Sequence, residues 1–154
     1  MLSKELLNLF DKREFIGVAT CDFKGHPTAA PKFILKVESG RIYLVDYTIS
    51  KTWENLKTNP RISMSLIDPM TLKGYQVNGN VKILSKGKLY KKLCEEMTDK
   101  EVRLTAQHII DEVRGNPAHE TFEILMNERF VIFEVTVGEV VELDIQGKIK
   151  RSKK

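Results

Sequence analysis

The residues best suited to chemistry lie in one short stretch, where Ser50, Lys51 and Thr52 follow the apolar run at 42–45. The run predicts a buried strand, and the residues after it predict a short helix that Ser50 caps with its side-chain oxygen. The first turn of a helix has unpaired N–H groups and the positive end of the helix dipole. Lys51 adds a cation there and Thr52 adds a hydroxyl donor. The stretch is typical of an anion site, and locally also of an ordinary capped surface helix with a solvated lysine.

The sequence has few other chemical signatures. It contains no Gly-x-Ser-x-Gly elbow, phosphate loop or dinucleotide fingerprint. His26, His108 and His119 lack metal-ligand spacing with any acid or cysteine, so we expect structural or solvated histidines and no metal site. Cys21 and Cys94 lie far apart, which favours reduced thiols in a cytoplasmic protein.

The composition indicates a soluble globular protein. The chain has 154 residues, of which 42% are apolar and 30% charged. No stretch approaches the apolar length of a membrane helix, and no signal peptide is visible, so we expect no membrane association. The net charge is +4, but the last ten residues contribute five basic side chains and no acid, which leaves −1 for the rest. We expect a short, frayed, solubilising basic tail at 148–154, and no main function in nucleic-acid binding.

Alternating apolar residues predict most of the chain to be β-structure. We expect an amphipathic helix up to about residue 12, a helix at 51–58, and strands joined mainly by hairpins. Gly17 suits a close backbone approach or a sharp bend, Gly25 suits a turn with positive φ, and Gly79 suits a bulge. The expected strands lie at 15–20, 27–37, 42–45, 61–67, 74–84, 130–137 and 139–144.

Helical periodicity interrupts the strands between about 88 and 114. The capping-box pattern from Thr98 to Glu101 predicts two helices there, and a shorter helix is expected at 119–127. We therefore predict a mostly β protein with outer helices, an antiparallel split β-barrel of six or seven strands. It forms one domain over 1–154, with a helical insertion at about 86–127.

The order of these pieces resembles the FMN-binding split barrels of the pyridoxamine 5'-phosphate oxidase-like family. The matching segments are Ala30-Pro31-Lys32-Phe33-Ile34-Leu35-Lys36, the stretch 50–60, and Tyr75-Gln76-Val77-Asn78-Gly79. The resemblance covers about residues 1–84 and, more loosely, the closing strands. The family's arginine-bearing second strand and its C-terminal Trp…Arg-Leu substrate segment have no counterpart here, which argues against vitamin B6 oxidation.

The resemblance implies an FMN cofactor at the interface of a homodimer. The phosphate would lie at the start of the helix, the flavin ring along the second strand, and Lys32 or Lys36 would supply a second cation. Residues 75, 76 and 78 would come from the other subunit. The candidate cofactor residues are Ala30, Pro31, Lys32, Phe33, Ile34, Asp46, Tyr47, Thr48, Ser50, Lys51, Thr52, Tyr75, Gln76 and Asn78.

Three functions fit this sequence. The first is an FMN-dependent oxidoreductase, with NAD(P)H or another redox partner as the second reactant, in which no side chain has an evident catalytic role. The second is a flavin carrier or electron-transfer protein without a substrate of its own. The third is a split barrel that binds another cofactor, such as haem or a deazaflavin, or acts as an interaction module.

Overall fold

The computed structural model describes residues 2–47, 49–113 and 130–153. Strands dominate, as alternation predicts, and helices lie outside them. The elements in chain order are α1 (Lys4–Asp11), β1 (Phe15–Cys21), β2 (Pro27–Glu38), β3 (Arg41–Asp46), α2 (Lys51–Thr58), β4 (Arg61–Ile67), β5 (Gly74–Leu84), α3 (Lys88–Val113), β6 (Val131–Leu143) and β7 (Ile149–Lys153).

The strands form an antiparallel barrel. Their order is β3-β2-β1-β4-β5-β6-β7, and β3 also pairs with β6, which closes a six-stranded barrel and leaves β7 as an extra strand. Along one edge of β6, the first half pairs with β3 and the second half with β7. β5 pairs along the other edge of β6. This confirms the predicted mostly β fold with outer helices and an antiparallel split barrel.

The barrel interior is apolar, and one helix covers each end. Every second residue of a strand points inward, for example Ile16 and Val18 of β1, and Val77 of β5. α1 covers the end where β5 begins, because its Glu5 contacts Lys73 and Tyr75. α2 covers the opposite end, where β1 finishes, because its Asn55 contacts Thr20.

α3 lies on the outer face of β2, β3 and β6. Its Leu93 and Met97 are buried in a second apolar cluster with outward-facing strand residues such as Phe33 and Ile132. This cluster explains why β2 and β3 are apolar on both faces in their central part. The outer faces of β1, β4 and β5 have no comparable cover among the described residues.

Two predicted glycine features are confirmed. Gly25 has a φ of +86° in the β1–β2 hairpin. Gly79 lies at a register shift between β5 and β6, where an added Cβ would come within 2.5 Å of the Thr136 carbonyl oxygen. At Gly17, by contrast, the expected close approach is wrong, because nothing described lies within 4 Å of an added Cβ.

Three predicted element boundaries are wrong. α3 is one continuous helix of 26 residues, in which the Thr98 hydroxyl donates to the Cys94 carbonyl instead of capping a second helix. β6 is one strand, because Gly138 continues it as the extra residue of a bulge opposite Asn78 and Gly79. The tail is not frayed: residues 149–153 pair with β6 as β7. The helix expected at 119–127 lies outside the described residues.

In the described part of the chain, no helix combines the length and apolarity needed to cross a membrane.

Candidate functional site

The end of the barrel beneath α2 is lined by polar side chains. Five of these side chains come from β1, β2, β3 and α2: Thr20, Lys32, Asp46, Thr52 and Asn55. None of them is more than 6% exposed, although buried side chains in a protein of this size are mostly apolar. We refer to these five residues as the α2-end cluster.

Lys32 and Asp46 form a buried ion pair within this cluster. Lys32 Nζ donates to Asp46 Oδ1 at 2.8 Å, and the side chains are 4% and 1% exposed. Lys32 lies two positions before the inward-facing Ile34, and Asp46 lies two after the inward-facing Leu44, so both point into the barrel end. The ammonium group is therefore already bound, and a ligand would have to share it with Asp46.

Thr52 and Asn55 hold two buried polar atoms without a hydrogen-bond partner among the described residues. Asn55 Nδ2 donates to Thr20 Oγ1 at 3.1 Å. The Asn55 Oδ1 atom accepts no hydrogen bond, and the Thr52 hydroxyl makes none, among the described residues. A buried polar atom left unsatisfied costs about 1–3 kcal/mol. This end of the barrel thus keeps hydrogen-bonding capacity that the described fold does not use.

The start of α2 differs from its sequence prediction in one respect. Ser50 is the N-cap residue, but its side chain makes no capping hydrogen bond. The N–H groups of Trp53 and Glu54 donate instead to the Ser50 carbonyl oxygen. The predicted side-chain cap is therefore wrong, and the Ser50 hydroxyl is left for another partner.

The residues around the helix start combine positive charge with backbone strain. Lys51 Nζ donates to Glu54 Oε2 at 3.2 Å, and both side chains are more than half exposed. Such an exposed pair contributes little and can exchange its partner. Ile49 has a φ of +42°, which is a true outlier for a β-branched residue and costs about 1–3 kcal/mol. Thr48 lies outside the described residues.

A flat face of small side chains lies on the outside of the barrel beside this end. Cross-strand pairing places Gly17 opposite Pro31 and Ser65, and Ala19 opposite Ala29 and Ser63. All six lie on the outward face of β2, β1 and β4, and none carries a long side chain. We call Gly17, Ala19, Ala29, Pro31, Ser63 and Ser65 the small-residue face.

The sequence prediction missed most of this face. Pro31 is its only member among the candidate cofactor residues, although the alternation of the small Gly17 and Ala19 with Ile16 and Val18 in β1 could have indicated the face. A groove of about 490 Å³ continues the face toward Arg61, Asn78 and Glu139. This volume is within the range of small-molecule sites.

The remaining candidates divide between the two faces of the sheet. Gln76 and Asn78 point outward next to the small-residue face: Gln76 Nε2 donates to Ser63 Oγ at 3.3 Å, and Asn78 Nδ2 donates to Glu139 Oε2 at 2.9 Å. The Asn78 hydrogen bond is the main reason why the pKa of Glu139 lies below its ordinary value. Tyr75 points inward like Val77: it belongs to the apolar interior of the barrel and is 2% exposed.

The β2 candidates divide in the same way. Pro31 is exposed and outward, whereas Ala30 alternates with it and is half-buried. Ile34 is inside the barrel, and Phe33 is buried beneath α3. Lys36, the other expected cation, is paired with Glu38 and Glu96 at 3.0 and 2.7 Å. Pro31, Gln76 and Asn78 thus lie on the outer face of the sheet, whereas Lys51 and Thr52 lie at the start of α2, and the roles of all five stay predictions.

The fold places the protein in the class of split β-barrels. One end of this barrel holds polar atoms without a hydrogen-bond partner among the described residues, and it lies beside a flat outer face. The family model for pyridoxamine 5'-phosphate oxidase matches residues 2–143, which is nearly the whole chain. The protein therefore belongs to the pyridoxamine 5'-phosphate oxidase-like family of split barrels.

Solved structures share this fold at low sequence identity. A Clostridium acetobutylicum protein related to general stress protein 26 has a TM-score of 0.64 at 17% identity, over 97% of this chain and 92% of that one. A haem-binding protein from Mycobacterium smegmatis has a TM-score of 0.63 at 14% identity, over 94% and 55%. An FMN-binding protein from Nostoc punctiforme has a TM-score of 0.53 at 12% identity, over 92% and 87%. No curated protein sequence matches.

Proposed function

We propose that this protein is an FMN-binding flavoprotein that acts as an oxidoreductase, with the FMN phosphate bound at the start of α2. The observation that carries the proposal is the unsatisfied Thr52 hydroxyl, completely buried at a helix start that also presents Lys51. The family and the FMN-binding relative of the same fold support it. Vitamin B6 oxidation is not part of the proposal.

A phosphate fits the chemistry of the helix start. The first N–H groups of a helix have no acceptor within the helix, and its dipole favours an anion there. Lys51 can leave Glu54 for a dianion, and the Ser50 hydroxyl makes no capping bond. Because the Thr52 oxygen is fully buried, its engagement requires the preceding residues to shift. Such a shift would release the backbone strain at Ile49, which offsets part of its cost in free energy.

The flavin ring fits the small-residue face. A planar ring needs a flat surface with few protruding side chains, and Gly17 leaves open space above the strand. Gln76 and Asn78 border the face and carry amide groups of the type that bind ring carbonyls. When bound, FMN supplies hydride and electron transfer, and the protein supplies position and electrostatics.

We propose that the small-residue face is also the contact between two copies of the chain. Exposed apolar side chains continue the outer face toward its α1 end: Ile67 at 51%, Leu143 at 39% and Ile149 at 57%. Neighbouring exposed apolar side chains favour association, and a two-fold dimer pairs such a face with itself. Each ring would then lie between subunits, and Gln76 and Asn78 of one subunit would face the flavin of the other.

The first experiment identifies the bound molecule. Protein purified from cells should be yellow, with flavin absorbance bands, and denaturation should release FMN, identified by mass spectrometry. A haem spectrum, a released deazaflavin, or a protein that neither carries nor takes up FMN would contradict the proposal. Reduction of the bound flavin by NAD(P)H supports the oxidoreductase over the carrier, and failure with NAD(P)H and with other reductants supports the carrier.

The second experiment tests the interface with a matched pair of variants. Ser65→Arg places a long cation on the β4 side of the small-residue face, next to Gly17, and Thr98→Arg places the same side chain on the exposed surface of α3. Sedimentation should give a dimer for the wild type and for Thr98→Arg, and a monomer with weakened FMN binding for Ser65→Arg. A monomeric wild type, or a dimer with unchanged FMN affinity in Ser65→Arg, would contradict the shared site.

A further inference from the structure

Two consecutive residues at the end of β3 are anchored on opposite sides of the sheet. Asp46 points into the barrel and accepts from Lys32. Tyr47 points outward, and its ring lies 6.2 Å from the Phe33 ring and 6.2 Å from the Phe130 ring, measured between centroids. Lys51 follows Tyr47 by only four positions, so the position of Tyr47 limits where α2 can begin.

The Tyr47 hydroxyl is held by the helical insertion. It donates to Glu101 Oε1 of α3 at 2.7 Å, and the Glu101 side chain is almost completely buried. A hydrogen bond to a buried carboxylate is among the stronger ones in proteins. Burial, and secondly the bond to Glu101, raise the pKa of Tyr47 above its ordinary value, in keeping with a phenol that donates to Glu101.

The neighbouring residue fixes α3 at the same place. Lys100 Nζ donates to the carbonyl oxygens of Ile34 and Leu35 at 2.6 and 3.0 Å, where β2 has a register shift toward β3. The same ammonium group lies 5.2 Å from the centre of the Phe33 ring. Lys100 therefore holds α3 on β2 while Glu101 holds the end of β3, so the helix cannot slide without breaking both contacts.

We propose that Glu101 is a positioning residue for the phosphate site at the start of α2, and that it acts through Tyr47. This gives the insertion a role in the site, and the inference rests on the proposed function. Glu101 does not itself touch the ligand. It keeps the end of β3 in the place from which the chain turns, through the strained Ile49, into the first turn of α2.

A double-mutant cycle on ligand binding tests this inference. Tyr47→Phe keeps the ring and removes the hydroxyl, Glu101→Leu removes the acceptor, and Glu101→Gln keeps an acceptor without charge. FMN and riboflavin are titrated against each apoprotein, and Glu95→Leu serves as the control on an exposed position of the same helix.

We expect Tyr47→Phe and Glu101→Leu each to weaken FMN binding about three- to tenfold, with no further loss in the double variant. Glu101→Gln should restore most of the affinity, Glu95→Leu should match the wild type, and riboflavin binding should not change in any variant. Apoprotein melting temperatures show whether Glu101→Leu is folded.

The outcomes separate this inference from the proposed function. A wild type that binds no FMN overturns both. A wild type that binds FMN with the same affinity as Tyr47→Phe and Glu101→Leu overturns the inference alone. An equal loss for FMN and riboflavin, or additive losses in the double variant, would indicate a general structural effect and would also overturn it.

Discussion

The two helices that close the barrel meet very different surfaces. α1 packs apolar side chains against the interior, and the Ser3 side chain accepts from the Leu6 N–H to cap the helix. α2 packs over the polar α2-end cluster, its cap residue makes no side-chain capping bond, and its N-terminus follows a strained Ile49. The buried side chains of α1 are Leu6, Leu9 and Phe10.

The difference separates stability from binding. Apolar contacts and a satisfied cap stabilise the α1 end, where burial of each large side chain contributes about 1.5–3 kcal/mol. The α2 end holds strain and polar atoms that no described residue satisfies, which cost free energy in the absence of a ligand. Strained and unsatisfied groups of this kind concentrate at functional sites.

The largest expected effect comes from breaking the buried ion pair of the α2 end. Lys32→Met should lower the free energy of unfolding by about 3–5 kcal/mol, because it leaves the Asp46 charge buried without its cation. Urea denaturation measures the change. The double variant Lys32→Met/Asp46→Leu should recover most of the loss. No recovery would mean that the loss does not come from the uncompensated Asp46 charge, and that the ion pair itself stabilises the fold.

An apolar truncation at the α1 end should be nearly as costly. Leu6→Ala removes a completely buried side chain and should lower the free energy of unfolding by about 2–5 kcal/mol. Urea denaturation again measures the loss, and FMN affinity below the transition should stay at the wild-type value. A fall in affinity without unfolding would place the binding site nearer α1 than this account allows.

The two cap residues offer a smaller and better matched test. Ser3→Ala should cost about 1 kcal/mol, because it removes the acceptor of the Leu6 N–H. Ser50→Ala should stay within about 0.5 kcal/mol, because that side chain makes no capping bond. Thermal denaturation of both variants gives the comparison, and equal losses would show that Ser50 caps α2 in solution.

The loops at the two ends should respond to acid alike. Hydrogen bonds hold the pKa of Asp22, in the β1–β2 hairpin, and of Asp68, in the β4–β5 loop, below the ordinary value of 3.8. The main donors are the His26 N–H and the Thr71 hydroxyl. A lowered folded pKa means that the stabilisation is present above 3.8 and is lost as the pH falls through the lowered value. Both residues lie in surface loops and are partly exposed to solvent, so the loss should be small.

NMR titration of the two carboxyl groups measures these pKa values directly. Asp22→Asn and Asp68→Asn should each reduce the acid sensitivity of folding by a similar small amount. A large difference between the effects of the two substitutions would mean that the surface loops at the two barrel ends also differ in how much they stabilise the fold.

The sequence predicted the elements of the fold better than their continuity. Alternation within each strand is a local property, so the barrel strands were found. The division of the insertion into two helices was wrong because the residues of its capping-box pattern have other partners: Thr98 bonds back to Cys94, and Glu101 bonds to Tyr47. A partner 54 positions away cannot be recognised from local spacing.

The candidate site shows the same limit. The sequence indicated that α2 begins at Lys51, because Ser50 and the residues that follow it are close together along the chain. It did not indicate that Lys32 and Asp46 form a buried pair, or that Ala30 and Tyr75 face away from the small-residue face. Those facts depend on the register between strands, and a shift of one residue reverses the face of every side chain.

The most direct test of the central claim compares two flavins on three proteins. Lys51→Ala removes the cation at the start of α2, and Lys57→Ala is the matched control on its last turn, where the ammonium lies 3.7 Å from the centre of the Trp53 ring. Fluorescence titration gives the FMN and riboflavin affinities of both variants and of the wild type.

A charge-assisted hydrogen bond to the phosphate contributes about 1.5–3 kcal/mol, so Lys51→Ala should weaken FMN binding about tenfold or more. Riboflavin, which lacks the phosphate, should bind the wild type and Lys51→Ala equally, and Lys57→Ala should match the wild type for both flavins. Unchanged FMN affinity in a folded Lys51→Ala would contradict an anion site at the start of α2.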